Sequence, residues 1–234
     1  MRNEIIWIIM MLVNFLCIIF AYKQFGKIGL YIWVPISTIL ANIQVVMLVK
    51  LFGMDATLGN ILYAGGFLVT DILSENYGKE SAKKAVRIGF FSLIATTIIM
   101  QCAINFVPLE TEESIVVFNG VKSIFQLLPR ISLASLAAYW VSQNYDVFAY
   151  EFIRNKFVNK KYIWMRNNLS TMTSQLIDTL IFTVIAFYGV YPIDIIISIL
   201  ISTYVIKFLV AFCDTPFIYL ASYMFEKKMI TDIE

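Results

Sequence analysis

The sequence predicts an all-α, polytopic helical membrane bundle of about six to seven transmembrane helices. Three observations lead there. Sixty per cent of the 234 residues are apolar and only 15% are charged, against about 25% charged in a soluble domain. Mean hydropathy is +0.78. The apolar residues gather into runs near the ~20 residues that cross a bilayer. A chain this apolar has no surface to offer water. Nothing outside the runs is long enough for a soluble domain, so residues 1–234 are expected to form one integral membrane transporter domain.

Seven candidate spans follow, at 4–22, 28–50, 57–74, 85–107, 131–153, 167–189 and 193–222. The first has only Arg2 ahead of it, Glu4 beside it and no small-residue cleavage site, and is expected to be a retained span rather than a signal peptide. Gly59, Gly65 and Gly66 interrupt the third. It is expected either as a span or as a broken, re-entrant segment, which survives at membrane depth only under cover of protein or a cavity. The last is too long to stand vertical, so Pro216 kinks it or it tilts. Residues 114–128 alternate apolar and polar groups around Asn119-Gly120, as an interfacial helix or a short hairpin would. Spans one and two are apolar on several faces, which leaves surface for a homodimer as well as for the lipid bilayer.

Lys79, Lys83, Lys84 and Arg87 crowd the 75–87 connection, and Arg154, Lys156, Lys160, Lys161 and Arg166 crowd 154–166. Positive charge marks the cytoplasmic side. The 108–130 segment, with Glu110, Glu112 and Glu113, falls outside, where Arg130 is a misfit. This is the layout of a multi-pass protein of the bacterial cytoplasmic (inner) membrane.

The informative residues are ionisable groups inside apolar runs. A lone Asp at a helix centre costs roughly 2.5–3.5 kcal/mol on insertion scales. Asp71, Asp146, Asp178, Asp214 and Lys207 all fall within or near the hydrocarbon layer. They must face a bundle interior or a wet cavity. Lys207, seven residues before Asp214 on the same helix face, is placed to neutralise it.

Spans five and six share SQxxD, as Ser142-Gln143 with Asp146 and as Ser174-Gln175 with Asp178. At about 100° per residue, Ser135, Tyr139, Ser142, Gln143, Asp146 and Tyr150 form one stripe. Asn167, Thr171, Ser174, Gln175 and Asp178 form the matching stripe on the next helix, which runs antiparallel. Two polar stripes that meet from opposite directions suit an inverted pseudo-repeat with a substrate site at the midplane, across an interior cavity. They also suit plain helix–helix adhesion. Thr70-Asp71 and Ser74-Glu75 add two carboxylates near the inner end of span three, and Trp164 and Arg166 stand at the inner mouth of span six. There a solvated, glycine-capped helix end, a tryptophan anchor and a positive-inside arginine are the alternatives to a binding role.

Much chemistry is excluded. Histidine is absent. No P-loop, dinucleotide fingerprint, GxSxG or HExxH occurs, so neither an enzyme nor a resident cofactor or metal is expected, and nothing points to nucleic acid. Cys17, Cys102 and Cys213 lie in separate apolar runs, as small buried side chains with no disulfide pattern. Any proton coupling must run through Asp71, Glu75, Asp146 or Asp178.

Three ordered motifs carry a resemblance over roughly 55–220. They are Thr70-Asp71-Ile72-Leu73-Ser74-Glu75-Asn76-Tyr77-Gly78-Lys79, then Ala134-Ser135-Leu136-Ala137-Ala138-Tyr139 leading to Ser142-Gln143 and Asp146, then Trp164-Met165-Arg166-Asn167-Asn168 leading to Ser170-Thr171 and Gln175, Asp178, Thr179. The chain resembles the queuosine precursor transporter family, also called the vitamin uptake transporter family. The resemblance implies uptake of 7-deazaguanine bases, namely preQ0, preQ1 or queuine. It departs at Ala64-Gly65-Gly66, where a proline-containing stretch is expected, so the choice among the three stays open. A carboxylate accepts from both N1–H and N2–H of such a base, amides serve both its donors and its acceptor, and aromatic faces such as Tyr139 or Phe182 stack it. Asp146, Asp178, Gln143, Gln175, Asn167, Ser135, Tyr139 and Thr171 are the candidate ligand-binding residues, with Asp71, Glu75, Arg166, Lys207 and Asp214 around them. A different reading is the substrate-binding component of an energy-coupling-factor vitamin transporter, which needs partner chains. A non-transport role, such as a membrane assembly factor, is a third.

The orientation is testable by labelling. A cysteine at position 158 should stay unlabelled by an impermeant thiol reagent in intact cells and react once the membrane is opened. Labelling in intact cells would invert the topology.

Overall fold

The computed structural model describes residues 2–45, 47–126, 129–189 and 192–231. Seven helices form the bundle: α1 (Arg2–Gln44), α2 (Gly59–Tyr77), α3 (Lys79–Ala103), α4 (Glu112–Gln126), α5 (Pro129–Lys156), α6 (Ile163–Phe187) and α7 (Ile193–Glu226). A short 3₁₀ turn, Lys160–Tyr162, precedes α6. Among the described residues, four helical stretches are long and apolar enough to cross a membrane: Arg2–Gln44, Lys79–Ala103, Lys160–Phe187 and Ile199–Glu226. The fold is the expected all-α membrane bundle.

The expected spans one and two are two arms of α1. Gly26, at φ 55° and ψ −138°, breaks the helix between them. Positive φ is open to glycine and costly for other residues. The second arm returns along the first, so that Asn3 reaches the Lys50 carbonyl at 3.2 Å. The turn is tight enough that a Cβ on Gly29 would stand 2.1 Å from the Ala21 carbonyl oxygen. Span two ends earlier than expected. After Gln44 the chain forms a two-stranded hairpin, β1 (Leu48–Leu51) and β2 (Met54–Thr57), pairing Leu51 with Met54. Phe52 and Gly53 both take positive φ at its tip, as a two-residue primed turn requires. The Phe52 ring packs edge-on against Trp7 at 5.8 Å, which holds the hairpin on α1.

The third expected segment is not broken. α2 is continuous, and every residue from 59 to 75 except Tyr63 is buried. Its glycines mark close approach, not interruption. α1, α3, α5 and α7 all pack against it, and α5 with α6 is the most extensive helix pair. The 112–126 segment is a helix, which rules out a hairpin there, while Leu127 and Leu128 lie outside the described residues. A Gln101 amide tethers α4 to α3 through the Phe125 carbonyl at 2.7 Å. α7 continues through Pro216 for 34 residues. At 1.5 Å per residue it is longer than a ~30 Å hydrocarbon layer, and Pro216 does not interrupt it. The three cysteines are free, and none is buried as expected: Cys102 is exposed, and Cys17 and Cys213 are half-buried.

The basic connections converge at one end. Arg154 bonds the Ser74 carbonyl, Lys160 pairs with Glu226, Lys27 stands over the Tyr77 ring, and Thr231 N–H reaches the Lys23 carbonyl at 3.0 Å. Arg130, at the opposite end, is explained by local chemistry. Its guanidinium donates to the carbonyls of Ile185 at 2.6 Å and Tyr188 at 2.5 Å. It closes the C-terminal end of α6, where carbonyls have no helical partner.

A pair of glycine substitutions tests this packing. Gly29→Ala should lower the thermal unfolding temperature of the detergent-purified protein, since the methyl group meets the backbone of the other arm. Gly120→Ala meets nothing within 4 Å and should be neutral or stabilise by up to about 1 kcal/mol.

Candidate functional site

The two SQxxD stripes face each other directly. Ser142 donates to Asp178 Oδ1 at 3.1 Å, and Ser174 donates to Asp146 Oδ1 at 2.8 Å. The serine of each motif thus serves the aspartate of the other, as a local two-fold relation between antiparallel helices requires. Among the described residues the two stripes close on each other, without the exposed lining that the expected interior cavity would have. Ser142, Gln143, Ser174 and Gln175 have no exposed surface. Instead, clefts of about 230 Å³ and 320 Å³ lie against the outer apolar sides of α1 and of the α5–α6 pair, the latter lined by Phe148, Phe152 and Leu169. Stripe residues fill the space by bonding across it.

α2 and α7 complete the seam. Thr171 donates to Asp71 Oδ2 at 3.0 Å, and the Asn167 amide donates to Asp214 Oδ1 at 2.7 Å. Lys207 does not neutralise Asp214. It pairs with Asp178 Oδ2 across the α6–α7 contact, with its ammonium 4.9 Å from the centre of the Tyr63 ring. Asp178 Oδ1 also accepts from the Tyr63 hydroxyl at 2.6 Å. Asp178 is therefore fully satisfied.

Asp71, Asp146 and Asp214 are not. All three are completely buried. Asp71 Oδ1, Asp146 Oδ2 and Asp214 Oδ2 make no hydrogen bond, nor do Asn167 Oδ1, Gln143 Nε2 or either amide atom of Gln175. Asp71 stands within hydrogen-bonding reach of Asp146 and close enough to Asp214 to feel its charge. Gln143 Oε1 has a single long contact from Thr70, at 3.5 Å.

Glu75 and Arg166 form a separate, closed cluster at the basic end. Arg166 is neither an interfacial anchor nor solvated, being 1% exposed, and Glu75 is not a solvated helix end. The guanidinium takes Glu75 Oε1 and the Phe157 carbonyl, and Tyr150 donates to Glu75 Oε2 at 2.9 Å. Trp164, by contrast, is half exposed, as an anchor would be. Toward the other end, Tyr139 packs against Tyr63 at 5.8 Å and its hydroxyl fills the space a side chain on Gly89 would need. Ser135 lies beyond it, half-buried. Phe182 packs on Phe187 and is not part of the seam.

Sequence reasoning missed Tyr63. Its signal was helical spacing, since Tyr63, Phe67, Thr70 and Ser74 fall on one face of α2 with Asp71 beside them.

A family profile described as "Putative vitamin uptake transporter" matches residues 57–221. This chain belongs to that family. The matched segment runs from the start of α2 into α7 and contains every member of the seam. Within the vitamin uptake transporter family, a Bacillus subtilis protein named "Probable queuosine precursor transporter" is 44% identical over 234 residues, 100% of this chain and 99% of that relative. A Haemophilus influenzae protein of the same name is 28% identical over 137 residues, 58% of this chain and 54% of that relative. No solved structure matches. Family membership assigns transport of a small molecule.

Breaking the Lys207–Asp178 pair gives a direct test of the seam. Lys207→Met leaves a buried carboxylate without its cation, which costs about 3–5 kcal/mol. Adding Asp178→Asn should recover much of that loss in thermal unfolding of the purified protein. No recovery would mean that Lys207 does something other than neutralise Asp178.

Proposed function

We infer that this chain imports 7-deazaguanine precursors of queuosine across the bacterial cytoplasmic membrane, using the seam between α2, α5, α6 and α7 as its binding site. The observation that carries the reading is the end-to-end similarity to a relative of that name. The seam supplies matching chemistry. A carboxylate with a free oxygen, such as Asp146 Oδ2, accepts N1–H and N2–H together. The Nε2 groups of Gln143 and Gln175 donate to O6, and Tyr63 and Tyr139 offer ring faces. Satisfied Asp178, with Lys207, fixes the position of α7 against α6. Glu75 and Arg166 hold the basic end shut and position the 157–162 connection.

Opening needs the Ser–Asp contacts to part. Each is replaced by a ligand contact on one side while the cluster at the basic end stays intact, which suits rocking about a midplane site. Proton coupling, if present, uses the seam's carboxyl groups, there being no histidine. Residues 1–234 act as one transporter domain. The exposed apolar face of α1, with Ile5, Ile9, Leu12 and Leu16, meets lipid and is where a second copy would pack.

Purified protein reconstituted alone into liposomes should take up a labelled 7-deazaguanine, with guanine a poor competitor. Uptake without any partner chain also excludes an obligate energy-coupling ATPase. Asp146→Asn exchanges an acceptor for a donor, and loss of one charge-assisted bond worth about 1.5–3 kcal/mol should weaken binding roughly ten- to a hundred-fold. No uptake by folded protein, or an unchanged Asp146→Asn variant, would refute the assignment.

A further inference from the structure

The buried charge of the seam does not balance. Five carboxylates, Asp71, Glu75, Asp146, Asp178 and Asp214, are buried with two cations, Arg166 and Lys207. Arg166 is committed to Glu75 and Lys207 to Asp178. That leaves Asp71, Asp146 and Asp214 with no cation among the described residues. Each accepts a single bond from a neutral group, namely Thr171, Ser174 and Asn167 in turn, and each keeps one bare oxygen.

The neighbouring amides point the same way. Asn167 is fully buried, spends its NH₂ on Asp214, and leaves Oδ1 without a donor. Gln175, equally buried, has both amide atoms free and shares the α6 face that carries Thr171 and Asp178. Five of these unpaired atoms are acceptors of negative or partly negative charge, drawn from α2, α5, α6 and α7. No three of the described acidic groups stand in an arrangement that holds a metal ion. The complement of such a set is an organic cation rich in N–H donors.

We propose that the unpaired carboxylates spread along the seam, those of Asp71, Asp146 and Asp214, receive an alkylammonium arm of the ligand, so that the transporter selects the aminomethyl-bearing 7-deazaguanine over the nitrile-bearing one. This rests on the queuosine reading above and narrows it. The ring's N1–H and N2–H occupy one carboxylate edge at most. The remaining bare oxygens need further donors, and an ammonium brings three with a full charge. A nitrile brings an acceptor nitrogen, which would face acceptor oxygens.

The test is equilibrium binding of both bases to the purified full-length protein in detergent, for the parent, Asp71→Asn and Asp214→Asn. The parent should bind the aminomethyl base at least tenfold more tightly than the nitrile base. Each variant should bring the ratio of the two affinities down to within about threefold. Equal affinity of the parent for both bases overturns the proposal and makes protons the neutralising partners of the three carboxyls, with the queuosine reading intact. A parent preference that survives in both variants also overturns it. If folded parent protein binds neither base, the queuosine reading falls along with the proposal. The parent comparison needs no variant to fold.

Discussion

Ser142 and Ser174 each give a hydroxyl proton to the aspartate of the other's helix, and the rest of the molecule is arranged around that exchange. Each hydroxyl also has a carbonyl of its own helix in reach, Tyr139 at 3.5 Å for Ser142 and Thr171 at 3.0 Å for Ser174, and the reciprocal reach to the facing aspartates matches the register and antiparallel direction of α5 and α6. A shift of one residue would turn both stripes into lipid. There, a bare Asp costs about 2.5–3.5 kcal/mol at mid-depth. The contact therefore acts as a specificity device as much as a source of stability, and it explains why the helix pair with the most polar facing surfaces is also the most closely packed.

The exchange is possible only because other helices shield it. α2 is buried almost throughout and lies in the middle of the bundle, which suits a helix whose face carries Tyr63, Thr70 and Asp71. The arms of α1 cover it on one side, with Asn14 set against the space at Gly65 and its amide on the Ile61 carbonyl at 3.4 Å. α7 covers the seam on another side and contributes Lys207 and Asp214. Lipid-facing surface is left to the apolar outer sides of α1, α3, α5, α6 and α7. Among the described residues, α2 and α5, which carry the polar residues of the seam, are not among the four stretches long and apolar enough to span.

The fold was legible where periodicity and charge placement are strong. The SQxxD repeat located both halves of the seam, and the lysine and arginine clusters correctly grouped the connections at one end. Legibility failed where the outcome depended on three-dimensional closure. A run of apolar residues does not say that Gly26 turns the chain within one residue, nor that Phe52-Gly53 makes a hairpin. Same-face spacing tied Lys207 to Asp214, but the side chain crosses to another helix, which no single-helix projection contains. Gly59, Gly65 and Gly66 read as breaks in sequence because propensity penalises them. In the bundle they are the positions where α1 and α5 come nearest α2. Arg130 looked misplaced on charge alone because capping of a distant helix end leaves no mark in local sequence.

Two polar clusters in one protein separate adhesion from recognition. Glu75, Arg166 and Tyr150 show what a buried polar cluster looks like when its task is to hold helices together. Both carboxylate oxygens are taken, one by a guanidinium and one by a hydroxyl, and the arginine reaches on to a loop carbonyl. The Asp71–Asp146–Asp214 cluster is equally buried and lies on neighbouring turns of the same helices, yet each carboxylate is half-paired. A buried acceptor without a donor costs about 1–3 kcal/mol, and several together approach the 5–15 kcal/mol that stabilises a whole domain. Substituting apolar residues there would remove that cost, as it does for many buried ionic groups. Proteins concentrate such violations of local consistency at functional sites. One turn away the same chain gives both oxygens of Glu75 a donor, although Arg166 Nε there has none. The contrast is what supports the proposed ligand site: Asp71, Asp146 and Asp214 each keep a carboxylate oxygen free, where Glu75 keeps none.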